Sequence, residues 1–260
     1  MIVLKKLNVK HENPIKYFSD WTETGLINDF IGKNIHIKWS GRYICQSCLK
    51  TPNKLYGEGL CYPCFKTIPI ASPCIIHPEK CRAHLGEGRD VEWEIKYHLQ
   101  PHIVYLALSD VVKVGVTKNT QIPTRWIDQG AIKAIVFAET KNRYEAGCIE
   151  VALKSRYTDK TNWRKMVKNE INEFIDLQEE KWELHEQLPF DIQAFISEND
   201  EIYSFNYPVN KYPSVINYIS LDKQNEINAV LSGIKGQYLL FDDGSVFNVR
   251  RHTGYEVSIT

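Results

Sequence analysis

The sequence lacks a net charge, a long apolar run and any internal repeat. Its 32 Lys and Arg residues are balanced by 32 Asp and Glu. That neutrality argues against a general nucleic-acid coat, whose surface is basic throughout. No stretch approaches the ~20 consecutive apolar residues of a membrane span, so no membrane partner is expected. The first twenty residues carry Lys5, Lys6, Lys10 and Lys16 with no continuous apolar segment among them, and no secretory signal is expected. Low-complexity runs are missing too. What is present is an ordinary globular composition, 43% hydrophobic and 25% charged over 260 residues. That length suffices for one sizeable core or for two to three small ones.

The seven cysteines are not spread evenly. Four form two matched pairs, Cys45-Gln-Ser-Cys48 and Cys61-Tyr-Pro-Cys64, with twelve residues between them. Two C-x-x-C knuckles at this distance give a tetrahedral zinc ion its four thiolates, because each short spacer turns two sulfurs toward one point. Gly57, Gly59 and Pro63 supply the bends. Free thiols or a redox pair are the plainer alternatives, but redox motifs do not come as two matched pairs. A structural zinc ribbon is expected, and thiols in metal-type spacing point to a reducing, cytoplasmic setting. A second cluster follows in Cys74-Ile-Ile-His77-Pro-Glu-Lys-Cys81-Arg-Ala-His84. Cys74, Cys81 and His84 are the preferred ligands there, with His77, His98 and His102 competing for a fourth place. Small buried thiols beside a turn are the alternative. Cys148, alone in an apolar helical stretch, reads as core.

Charge is separated along the chain. Lys113 to Lys168 holds 12 basic and 5 acidic residues, a net of +7. Asn169 to Glu201 holds 11 acidic residues and one lysine, a net of −10. A basic working surface beside an acidic segment is one reading, and a solvated acidic helix the other.

The expected class is α+β. Residues 1–44 read as an N-terminal β segment, with Ile35-His36-Ile37-Lys38-Trp39 alternating between Gly32 and Gly41. Residues 45–100 form the zinc-binding segment and 101–168 a small α/β domain. Residues 169–232 form an acidic helical segment, with one helix over 169–187 and a short one near Asp222–Leu231. Residues 233–260 read as a C-terminal β-meander turning at Asp242-Asp243-Gly244.

Within the α/β domain, Val104–Leu108 and Val111–Val116 are strands joined at Ser109-Asp110. Pairing Tyr105 with Lys113 gathers Val104, Leu106, Leu108, Val112, Val114 and Val116 on one aliphatic face, whereas a one-residue slip buries Lys113 among them. The loop then has an odd number of residues. Pro123–Gln129 is a short helix carrying Arg125 and Trp126, stopped by Gly130. Ile132–Phe137 is a third strand. Asn142 caps a helix with Glu145 three residues on. Glu150 lies on that helix, beside the small residues Ala146 and Gly147, which leave space at its carboxylate. Lys154 is one turn away, and an exposed Glu–Lys pair is the plain alternative.

The order hairpin, Arg-bearing helix, strand, Glu-bearing helix resembles the GIY-YIG nuclease family. Ile103-Val104-Tyr105 stands at its first motif and Lys113-Val114-Gly115 at its second. Arg125 lies ten residues after Gly115, and Glu150 twenty-five after Arg125. Glycine is missing from the first motif, and Lys113 replaces the second tyrosine. The resemblance covers residues 102–165 and implies a nucleic-acid phosphodiesterase. In it, Glu150 would hold Mg²⁺ or Mn²⁺ against the scissile phosphate. Arg125 would clamp that phosphate. Tyr105 would position or deprotonate the attacking water, with Lys113 lowering its pKa or touching phosphate. Lys160, Asn162 and Arg164 would contact the DNA or RNA backbone. The rival is a non-catalytic binder that uses the ribbon, the basic surface and exposed Trp126 and Trp163 for stacking, and a third reading is a structural or assembly protein whose zinc only folds it.

Over nearly its full length the chain also resembles the domain of unknown function 2797 family. The resemblance runs through Cys61-Tyr-Pro-Cys64, Pro78-Glu-Lys-Cys81, Lys113-Val-Gly-Val-Thr117, Pro123-Thr-Arg-Trp-Ile-Asp-Gln-Gly-Ala131, Asp159-Lys-Thr-Asn-Trp163 and Gly233-Ile-Lys-Gly-Gln-Tyr-Leu239. It implies no activity of its own.

Overall fold

The computed structural model describes residues 1–154, 156–157, 162–172 and 174–260. It is a mixed α/β structure with several sheets. Ile35 and Ile37 are fully buried while Asn34 and Lys38 are exposed, so the alternation noted above does build a strand, Asn34–Tyr43. It runs on through Gly41, whose φ of +84° marks the point where pairing with Tyr255–Ile259 shifts register. On its other edge this strand pairs with Glu226–Lys235. The short helix expected near Asp222–Leu231 is therefore absent. Ile227 and Leu231 are buried strand residues, and tertiary pairing overrides the local helical reading. Tyr238–Phe241, Ser245–Asn248 and Asn217–Ile219 extend this sheet on one side, and Ile2–Val3 closes the other. The N- and C-terminal β segments thus share one seven-stranded sheet.

The second large sheet has four strands in the order Val112–Lys118, His102–Leu108, Lys133–Thr140, Ile202–Ser204, all antiparallel. Every residue of His102–Leu108 is buried, because both faces of this strand are covered. Val104, Leu106 and Leu108 pack with Ala146, Ile149 and Leu153 of the helix Arg143–Leu153 and with Leu184 of the helix Leu177–Gln187. Ile103, Tyr105 and Ala107 join the core that reaches across to Ile35, Ile37 and Val257 of the seven-stranded sheet.

The expected aliphatic face is the one observed, but the hairpin register is not Tyr105 with Lys113. Tyr105 stands opposite Gly115, and Lys113 opposite Ala107. A two-residue slip preserves every face, so face-sorting cannot detect it. Two contacts explain the choice. The Tyr105 ring covers Gly115, where an added Cβ would lie 2.5 Å from the phenol oxygen. Lys113 Nζ bonds to Ser109 Oγ and lies 3.3 Å from Asp110 Oδ1, inside a loop of three residues.

Asn142 caps its helix as expected, accepting from the Glu145 amide at 3.0 Å. The acidic helix spans Leu177–Gln187 rather than starting at 169. Asn169 ends the preceding helix, Trp163–Lys168, in the left-handed conformation with φ +60°, which stops propagation. Among the described residues, no helix is long and apolar enough to cross a membrane.

Candidate functional site

The two C-x-x-C pairs come together as their spacing requires. Cys45 follows the strand Asn34–Tyr43, and Cys61 caps the helix Tyr62–Thr67, which carries Cys64 in its first turn. Leu49, at φ +59°, folds the first knuckle back so that its amide donates to the Cys45 carbonyl. The four Sγ atoms lie within 4.8 Å of one another. Cys48 and Cys61 are 3.7 Å apart, close to the roughly 3.8 Å between two sulfurs each ~2.3 Å from a tetrahedral zinc. Burial opposes ionisation of Cys45, yet the Cys48, Cys61 and Ser47 amides hold its thiol down to about 6. Cys61 N donates to that sulfur at 3.2 Å. This cluster could hold a metal ion such as zinc. It is docked on the C-terminal segment: a Cβ at Gly59 would sit 2.7 Å from the Thr253 carbonyl oxygen, and Arg250 pairs with Glu58 at 2.7 Å.

The second cluster differs from expectation. Cys74, Cys81 and His98 bring their ligand atoms within 4.8 Å of one another, and His84 takes no part. Ala83 turns inward within its short turn and His84 outward, where it stacks on Tyr144 with ring centroids 4.5 Å apart. His77 is also exposed and pairs with Glu79. His102 is buried, but its Nδ1 is committed to the Gln100 carbonyl at 2.7 Å, and it lies outside the cluster. The signal for His98 was its position four residues after Glu94 on the helix Val91–His98, which puts both on one face.

Between these clusters and the α/β unit lies a cleft of about 420 Å³. Its walls include Tyr105, Arg125, Glu150, Lys154, Arg143 and Arg250. Three of the four proposed catalytic residues thus meet. Lys113 does not: it is held at the far end of the hairpin by Ser109 and Asp110. Tyr105 Oη donates to Gln129 Oε1 at 2.7 Å, and burial raises its pKa although Arg125 pulls the other way. Glu150 is 9% exposed; burial raises its pKa against the pull of Lys154, whose Nζ is 3.5 Å from Oε2. Among the described residues, that Oε2, itself buried, accepts no hydrogen bond.

The space expected beside Glu150 at Gly147 is filled. A Cβ there would meet Glu79 N at 2.2 Å and Pro78 C at 2.4 Å, so glycine lets the Pro78–Glu79 backbone lie on the helix. Arg143 fixes the same loop through the Cys74 and Ile75 carbonyls at 2.9 and 2.8 Å.

Neither tryptophan is an open stacking platform. Trp126 is fully buried, edge-on to Tyr105. Trp163 is half-buried, stacked on Tyr238 at 5.6 Å, with the Arg164 guanidinium over its ring. Cys148 is exposed rather than core, because Ala146, Ile149 and Leu153 take the inward face of its helix. Lys160 lies outside the described residues.

No curated protein and no solved structure matches the chain. Residues 32–257 match the family model described as "Protein of unknown function (DUF2797)", and the chain belongs to that family.

Proposed function

We propose that the protein is a zinc-containing nucleic-acid phosphodiesterase whose reaction takes place in the cleft. The observation that carries this reading is the meeting of Tyr105, Arg125 and Glu150 in one cationic cleft, with Arg143, Lys154 and Arg250 on its walls. Sequence order alone does not require them to meet. Arg125 and its basic neighbours bind the phosphate, since a planar guanidinium pairs with two of its oxygens. Glu150 would offer its carboxylate to Mg²⁺ or Mn²⁺ once Lys154, 3.5 Å from Oε2, gives way, and the ion would stabilise charge on the phosphate and the leaving oxygen. A single carboxylate leaves such an ion mostly hydrated until substrate arrives. Tyr105, with its pKa raised, holds its proton and orients water rather than deprotonating it. Lys113 has no part at the phosphate from where it stands. The resemblance to GIY-YIG nucleases supports the same assignment.

The second reading is a binder that cuts nothing, favoured by the Glu150–Lys154 ion pair, which occupies the carboxylate. Cleavage of single- and double-stranded DNA and RNA with Mg²⁺ or Mn²⁺ separates the two. Wild type cleaves at least one substrate, and Arg125→Ala lowers both cleavage and binding. Salt-sensitive binding without cleavage under either metal favours the binder.

A further inference from the structure

Residues 73–98 have almost no hydrophobic core of their own. Three one-turn 3-10 segments, Pro73–Ile75, Pro78–Lys80 and Ala83–Leu85, lead to the helix Val91–His98. The buried apolar cluster beneath them consists of Cys74, Cys81 and Ala83. So small a core does not hold four short elements in place, whereas a metal does.

His98 Nδ1 lies 3.5 Å from Cys81 Sγ and 3.9 Å from Cys74 Sγ. A zinc ion with sulfur at ~2.3 Å and nitrogen at ~2.0–2.1 Å sets such atoms about 3.5 Å apart. The same nitrogen is 3.9 Å from Glu94 Oε2. Glu94 is 3% exposed, and its other oxygen is fixed by Ser72 Oγ at 3.1 Å and the Arg89 amide at 3.0 Å. Gly88 closes over it, since a Cβ there would lie 2.4 Å from the carboxyl carbon. A buried carboxylate beside two buried thiols is costly without a cation, and hydrogen bonds that fix one carboxylate oxygen are how metal sites orient the other.

We propose that Cys74, Cys81 and His98 form a second zinc site, with Glu94, which lies beside His98 but outside the three-atom cluster, drawn in as the fourth ligand when the ion binds, independent of the Cys45/Cys48/Cys61/Cys64 cluster and of any reaction in the cleft. Its role is to hold the Cys74–Cys81 loop on the Glu150 helix, where Ile75, Ile76 and Pro78 form one wall of the cleft.

Zinc content and cobalt-substituted spectra of the full chain test this. Protein purified without chelator carries two zinc ions per chain, and His98→Gln and Cys45→Ser each carry one. The thiolate-to-cobalt charge-transfer intensity of His98→Gln falls by about a third, from six thiolates to four. Glu94→Gln, nearly isosteric, keeps the ribbon metal but binds the second zinc at least ~10-fold more weakly, and it serves if His98→Gln is insoluble. His102→Phe keeps both ions. One zinc in the wild type, or two in His98→Gln, overturns the site. Unchanged affinity in Glu94→Gln, or loss of one ion in His102→Phe, overturns the ligand set.

Discussion

Two thiol clusters border the same cleft, the ribbon through Glu58 and the second through Ile75 and Pro78, yet they are built differently. The four-cysteine cluster takes all its sulfurs from two knuckles, each a turn that aims two of them at one point. The second cluster takes Cys74 and Cys81 from successive turns and His98 from a helix seventeen residues beyond Cys81. In the first, local chain geometry selects the ligands. In the second, both His98 and His102 are buried, and only the folded chain shows that His98 is the one beside the two sulfurs.

The largest expected effect lies at the ribbon. Structural zinc carries on the order of 10 kcal/mol of folding energy in small domains. Cys45→Ser should therefore lose one zinc and unfold the segment around Gly59 and Thr253, seen as fast amide exchange there. Unchanged zinc content and protection would place the ribbon with ordinary buried thiols.

Next comes Gly147→Ala. Within a helix this change ordinarily gains up to about 1 kcal/mol. Here the new methyl would strike the backbone of Pro78 and Glu79, so a loss of about 1–3 kcal/mol in urea denaturation is expected. The ribbon zinc should stay in place. A stabilised variant would mean that the metal loop does not rest on the Glu150 helix.

The smallest effect belongs to Cys148→Ser. An exposed thiol outside both clusters should change stability by no more than about 0.5 kcal/mol and leave the metal content untouched. A larger change would sharpen the comparison into one among three kinds of cysteine.

The same contrast explains what the sequence made legible. Period-two alternation and paired spacing are local signals, so the clustering of the four paired cysteines, the strand at Ile35–Trp39, the Asn142 cap and the aliphatic hairpin face could be read directly. The Tyr105–Gly115 register could not, because period two cannot distinguish a shift of two, and only the aromatic ring over Gly115 decides it. Trp126 looked like a surface ring because its burial comes from Tyr203 and Phe205, remote in sequence. The strand Glu226–Lys235 was hidden for the same reason: its partner, Asn34–Tyr43, lies near the other end of the chain.

The most direct test of the cleft is the melting temperature of Glu150→Gln at neutral pH, measured beside its cleavage activity. Burial raises the folded pKa of Glu150 above 4.5. Its ionisation therefore costs nothing below 4.5 and destabilises the fold as pH rises through the raised value. If Glu150 is kept for chemistry, the neutral amide should melt higher than wild type and cleave nothing with Mg²⁺ or Mn²⁺ while still binding nucleic acid. A variant that melts lower, beside a wild type that cuts nothing, would make Glu150 the structural partner of Lys154 and contradict the catalytic assignment.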